Sequence, residues 1–225
     1  MKFFRTIASG FAALLLFFSG NVAAAPTDEA DNLLVVLRGF PGANKQAEGL
    51  VAVGKVEATL PNGKQVELYP AWFQYIGDMY VRFVFDKPNS FENAETKDLT
   101  RLNLTPEQAL TLAVSNIKKK YGSPTAVPWN DLMSVSGKLP DLDSSYFLDL
   151  EFWRSLLKQY PDGLVVAVPK RGGLLYAPIA NASAVEGLRK GISYLYASSE
   201  KMQVSSALYL FKDDKWSVFQ SAKKP

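Results

Sequence analysis

The sequence predicts an α+β fold: a mainly antiparallel β N-terminal part followed by an α+β part in the order helix, helix, hairpin, helix, hairpin. Three observations predict it. Short apolar runs that alternate and are broken by turn residues fill residues 33 to 85, a capped stretch of helical period starts at Thr105, and paired β runs flank glycine or charged turns further on. Strands and helices do not take turns along the chain, which argues against a doubly wound sheet.

Leu33 to Arg38, reading LLVVLR, is an apolar run stopped by Gly39-Phe40-Pro41-Gly42, a strand and a tight loop. Between Leu50 and Leu60 the positions Val51, Val53, Val56 and Ala58 partly alternate. Pro61-Asn62-Gly63 then supplies an Asn-Gly turn, and Gln65 to Trp72 continues the alternation, so this is a hairpin. Met79 to Phe85 follows Gly77-Asp78 and sets Tyr80, Arg82 and Val84 against Met79, Val81, Phe83 and Phe85. Residues 86 to 100 hold little apolar content beyond Phe91 and Leu99 and read as a connector. The expected organisation is therefore a signal peptide at 1–25, a mainly β region at 26–100 and an α+β region at 101–225.

Thr105-Pro106-Glu107-Gln108 is a capping box with proline at the first helical position. Leu110, Ala113, Val114, Ile117 and Tyr121 follow at helical spacing. Lys118 to Lys120 suit the negative end of the dipole, and Gly122 with Pro124 ends the helix. A second helix is expected over Tyr146 to Tyr160, closed by Pro161-Asp162-Gly163. Leu164 to Val168 and Leu174 to Ala177 flank Pro169-Lys170-Arg171-Gly172-Gly173 as a hairpin. Asn181 or Ser183 caps a third helix with Val185, Leu188, Ile192 and Leu195 on one stripe. Ala207 to Phe211 and Trp216 to Phe219 close the chain as a hairpin around Lys212-Asp213-Asp214-Lys215.

Trp153-Arg154-Ser155-Leu156-Leu157-Lys158-Gln159-Tyr160, then Gly163 to Pro169, Leu174 to Ala177 and Ser206 to Phe211, resemble the C-terminal half of the YtpQ-like family of uncharacterised bacterial proteins. The shared feature is the order helix, hairpin with Val-Pro ending its first strand, helix, closing hairpin. It covers about the last 120 residues. Two departures stand out: members of that family look cytosolic, and the Lys170 to Gly173 loop is more basic and glycine-rich than their usual hairpin. The resemblance implies the fold and carries no substrate, cofactor or catalytic residue with it.

Residues 1 to 25 read as a secretory signal, with Lys2 and Arg5 ahead of the apolar run Phe11 to Phe18 and a small-residue exit at Val22 to Ala25. Cleavage near Ala24 or Ala25 predicts a periplasmic or secreted protein. The run is too short for a stable membrane anchor, which needs about 20 apolar residues. With Cys 0 there is neither a lipid attachment point nor a disulfide, and with His 0 there is no imidazole base or histidine metal ligand. Removing Lys2 and Arg5 lowers the formal charge from +3 to +1. That charge is uneven: residues 26–100 carry 7 Lys/Arg against 11 Asp/Glu, and residues 101–225 carry 16 against 11. This is far from a nucleic-acid footprint.

Each motif has a plain structural alternative. Gly49 to Lys55 matches a P-loop except for the final Ser/Thr, yet it lies inside an alternating β run. Ser115-x-x-Lys118 and Ser155-x-x-Lys158 place a lysine one turn from a serine, but the Ser-Asp-Asn and Lys-Thr-Gly companions of penicillin-recognising enzymes are absent. Asp141, Asp143 and Ser145 start like a calcium loop, whose glycine and final glutamate are replaced by Tyr146 and Phe152, so an N-cap cluster is the better reading. Asp149 with Glu151 and Asp213 with Asp214 read as solvated pairs. Trp72, Trp129, Trp153 and Trp216 read as core packing. The feature singled out for contact with an anion or partner is the hairpin tip Lys170, Arg171, Gly172 and Gly173, where glycines free the backbone and two cations add charge. No catalytic residue, metal site or cofactor is nominated. The expected function is a non-catalytic binding module of the cell envelope whose partner is a protein, a peptide or a cell-wall component. The alternative is a carboxylate- or serine-based hydrolase of an envelope polymer.

Overall fold

The computed structural model describes residues 27–40 and 42–222, so the signal read at 1–25 lies outside the described residues. The fold is α+β with antiparallel sheets, the N-terminal β part preceding the helices and hairpins. After a one-turn helix α1 (Thr27–Ala30) come β1 (Leu33–Gly39), β2 (Val51–Ala52), β3 (Val56–Thr59), β4 (Gln65–Leu68), β5 (Trp72–Ile76), β6 (Met79–Lys87) and β7 (Ser90–Asn93). The first sheet runs β1-β6-β5-β2, and β7 extends the β5 edge along the far part of β6. β3 and β4 pair only with each other, on either side of the Asn62-Gly63 turn.

Helices α2 (Thr96–Arg101) and α3 (Pro106–Tyr121) follow, then β8 (Thr125–Trp129) and β9 (Leu132–Ser136). A 3-10 helix (Pro140–Leu148) leads into α4 (Leu150–Leu157), β10 (Leu164–Lys170), β11 (Gly173–Pro178) and α5 (Ala182–Ala197). A short 3-10 turn (Glu200–Met202) precedes β12 (Leu208–Lys212) and β13 (Lys215–Gln220). Three consecutive hairpins thereby build a six-stranded antiparallel sheet in the order β13-β12-β10-β11-β9-β8.

β10 shows why its sequence is apolar without a break from Leu164 to Pro169. Val165 and Ala167 join Leu175, Ala177 and Leu208 beneath Ala184, Val185, Leu188 and Ile192 of α5. Leu164, Val166 and Val168 point the other way, into a core shared with the first sheet. A strand covered on both faces cannot alternate. The 3-10 helix touches β1, β9, β10, β11 and α3 and so fills the space between the sheets. Its Phe147 stacks on Trp216 with centroids 3.9 Å apart and meets Tyr209 and Tyr75 edge-on. Trp153, fully buried, packs against Tyr176 and Trp216 and donates its indole N–H to the Tyr146 carbonyl at 2.9 Å.

α3 starts where the capping box puts it: Thr105 Oγ1 accepts from the Gln108 N–H, and Gln108 Oε1 accepts from the Thr105 N–H at 2.9 Å. Buried Asn116 on its inner face donates to the carbonyls of Ala30 and Leu33, both at 2.9 Å, which ties the helix to the start of β1. A second tie joins the sheets. Asp78, in the β5–β6 turn, accepts from Ser205 Oγ and, at 2.9 Å, from the Tyr209 hydroxyl, all three being buried.

Four expectations need correction. The helix expected from Tyr146 to Tyr160 is divided, because Asp149 takes a non-helical conformation (φ −83°, ψ 83°) and caps α4 through the Phe152 N–H. The residues before it are buried on all sides, without the stripe that a surface helix shows. The β8–β9 hairpin occupies a stretch given no element; its turn uses Asn130 at φ 53°, a left-handed position asparagine tolerates. The expected connector at 86–100 contains β7 and α2. Trp129 is 44% exposed and not core.

Candidate functional site

The tip of the β10–β11 hairpin divides its two cations between two surfaces. Arg171 donates its backbone N–H to the Met202 carbonyl at 3.0 Å and accepts from the Ser144 N–H at 2.9 Å. The backbone N–H and carbonyl of Arg171 are thus engaged by the protein itself. The tip also runs close to the 3-10 helix, and a Cβ on Gly172 would stand 3.1 Å from the Pro140 carbonyl oxygen, a tight contact.

The segment after α5 runs beside the tip, with the Val204 N–H donated to the Pro169 carbonyl. The end of β1 presses on this segment so closely that a Cβ on Gly39 would lie 2.2 Å from the Val204 oxygen. That approach brings Arg38 toward Arg171. Arg38 lies opposite Tyr80 in the sheet, and Arg82 is two residues along β6 from Tyr80, so both arginines are on one face as diagonal neighbours. Trp72 pairs directly with Arg82 on the same face, and the Arg82 guanidinium sits 3.9 Å from the centroid of that indole. Phe40, half exposed, meets Tyr80 edge-on at 4.6 Å.

The electrostatics of Arg38 and Arg82 are unusual for surface cations. Burial first, then the charges of Arg171 and Arg82, push Arg38 down to about 10; the carboxylate of exposed Asp141 acts in the opposite direction. Burial and then Arg171 lower Arg82 as well. Both remain cationic at neutral pH. Among the described residues no carboxylate lies within ion-pair distance of any of the three. The Nε atoms of Arg82 and Arg171 are sealed from solvent and have no acceptor among the described residues. Unpaired, partly buried guanidinium groups cost stability, and such costs gather at functional sites.

Lys170, Gly172 and Gly173 line a different surface, a cavity of about 460 Å³ shared with Trp129, Leu195 and Met202. Another cavity, of about 350 Å³, lies between α3 and α4 and contains Ser115, Lys118, Asp149 and Glu151. There Lys118 Nζ is 2.6 Å from Glu151 and 3.3 Å from Asp149. Burial favours the neutral amine, but Glu151 and then Asp149 outweigh it and raise Lys118, leaving it protonated and unfit to take a proton from Ser115. Ser155 donates its hydroxyl to the Phe152 carbonyl at 2.6 Å.

The other motifs resolve in structural roles. Lys55 of the P-loop-like stretch is held at 2.6 Å by Glu67 across the β3–β4 hairpin. Asp143 accepts the Gly137 N–H at 2.8 Å and lines neither cavity; burial, with help from Asp141, pushes it up to about 6 against that hydrogen bond. Among the described residues no group of three or more acidic side chains is placed to hold a metal ion, and no helix is long and apolar enough to cross a membrane. Sequence reasoning nominates Arg171 and does not nominate Arg38 or Arg82. The available signal was a charge closing an otherwise apolar run and another inside a strongly alternating one. No family model, curated protein or solved structure matches the chain.

Proposed function

We propose that this chain is an exported, non-catalytic binding module of the cell envelope that holds an anionic group of its partner at Arg38, Arg82 and Arg171. One observation carries the reading: three guanidinium groups from β1, β6 and the β10–β11 tip share one region without a carboxylate partner. Arginine forks suit carboxylate and phosphate, and their half-buried setting strengthens each contact. Export is supported by the order of charged, apolar and small residues at 1–25. The hydrolase alternative has less support, because the lysine beside Ser115 is ion-paired and protonated.

The test is affinity capture from an envelope extract with the wild-type protein and with Arg82→Glu/Arg171→Glu. The expected result is loss of the retained partner from the variant, while far-ultraviolet circular dichroism is unchanged. Equal recovery of every partner by a folded variant overturns the reading.

A further inference from the structure

We infer that the cavity beside the C-terminal end of α5 is a binding site for a sugar ring that carries a carboxylate. It is separate from the arginine site proposed above and does not depend on it, since none of Arg38, Arg82 and Arg171 lines this cavity.

Strand register builds the floor. Val127 of β8 lies opposite Ser134 of β9, and Ser134 opposite Leu175 of β11, so these three side chains share one face of the six-stranded sheet. Trp129, two residues along β8 from Val127, is on the same face. α5 packs on that face over β10, β11 and β12. β8 lies two strands beyond β11, and its Val127 and Trp129 stay exposed. The cavity of about 460 Å³ is formed where the helix ends and the bare strands begin: Trp129, Ser134 and Leu175 line it from the sheet, Leu195, Ser198 and Ser199 from the end of α5, and Lys170 from the hairpin tip. Such a volume, with apolar walls and a few polar groups, suits a small organic ligand.

The lining selects the ligand. The accessible indole of Trp129 is a flat apolar platform for the C–H face of a pyranose ring. Ser198 Oγ and Ser199 Oγ donate to the Leu195 carbonyl, the first at 3.2 Å, and keep lone pairs that accept from ring hydroxyls. Half-buried Ser134 makes no side-chain hydrogen bond among the described residues, so its hydroxyl is free to donate and to accept. Charge is set by Lys170. It is exposed, makes no ion pair among the described residues, and faces a lining that contains no carboxylate. An aromatic acid leaves the serines unused and an amino sugar meets like charge, whereas an acidic sugar engages the platform, the hydroxyls and the ammonium together.

Glucuronate, galacturonate and mannuronate are titrated into the purified protein at pH 7 and constant ionic strength, beside glucose, galactose, mannose and benzoate, with binding read by calorimetry and tryptophan fluorescence. At least one uronate is expected to bind saturably, and more tightly than its neutral hexose and than benzoate. Trp129→Ala and Lys170→Met, both at exposed positions, should each weaken that binding about tenfold. Lys170→Met should leave the neutral hexose unaffected, and Arg38→Gln should change nothing. Tighter binding of an oligomer of the preferred uronate supports a polymer-borne unit, and equal binding supports a free sugar. Benzoate binding as tight as the best uronate overturns the sugar assignment, and a neutral hexose binding as tightly overturns the acidic one. No saturable uronate binding, binding that survives Trp129→Ala, or binding lost in Arg38→Gln overturns the site.

Discussion

Two regions of this molecule hold partly buried cations, and they are built on opposite plans. In the cleft between α3 and α4, Lys118 is answered by Glu151 and by Asp149, whose side chain is 3% exposed. At the meeting of β1, β6 and the β10–β11 tip, Arg38 feels the charges of Arg82 and Arg171, and among the described residues exposed Asp141 is the carboxylate that offsets them. The first arrangement completes its own electrostatics and has nothing left to offer a ligand. The second is left without an ion-pair partner among the described residues, which is the basis of the binding role proposed for it. A cation's lack of a partner is therefore more informative about binding than its presence in a motif.

The sharpest way to expose the contrast is to remove one cation from each region. Lys118→Met strands the buried Asp149 carboxylate with little beyond a long hydrogen bond from the Phe152 N–H, and should lower stability by about 2 kcal/mol in urea unfolding with an unchanged slope. A loss below about 0.5 kcal/mol would show that this pair is as weak as an ordinary surface bridge.

Asp143 extends the comparison to an anion, since it is 5% exposed with one N–H donor and no cation in ion-pair distance among the described residues. Its pKa is near 3.9 in an unfolded chain and about 6 in the fold, so folding favours the protonated form. The stability it contributes is complete below about 4 and is lost as pH rises through about 6. Asp143→Asn should thus be more stable than wild type by about 1–2 kcal/mol at pH 7, with the gap closing at pH 4. A gap of equal size at both pH values would count against an ionisation effect.

Arg38→Met is expected to have a smaller effect of the same sign. Removing one of three mutually repelling charges should stabilise the ligand-free protein by about 1 kcal/mol, after allowance for the Arg38 Nη1 bond to the Leu37 carbonyl. A clear destabilisation would mean that the cluster serves the fold, and the comparison with Lys118 would collapse. The smallest effect is that of salt: sodium chloride between 0.02 and 0.5 M should stabilise wild type by about a few tenths of a kcal/mol more than Arg38→Met. Equal responses would place the repulsion elsewhere.

Legibility in the sequence followed the range of the interaction. The α3 capping box, the Asn181 cap of α5 and the β10–β11 turn are written within a few residues of one another, and all three are where local chemistry puts them. The 3-10 helix is illegible in the sequence because Leu142 to Leu148 are buried without a break, which erases the periodicity that marks a helix. Trp129 was misjudged because aromatic character predicts packing, whereas burial depends on what covers β8, an edge strand. The arginine site is the extreme case. Residues 38, 82 and 171 share no local motif: long-range β1–β6 pairing sets Arg38 beside Arg82, and only the approach of the second sheet adds Arg171.

Gly39 controls that approach, and it does so without a side chain. A single added methyl group would drive β1 away from Val204 and open the distance from Arg38 to Arg171 while every guanidinium stayed in the sequence. The spacing of the arginines can therefore be altered from a position that carries no charge. A chain that retains all three arginines but has lost this glycine should be expected to hold them in a different arrangement, whatever its motifs suggest.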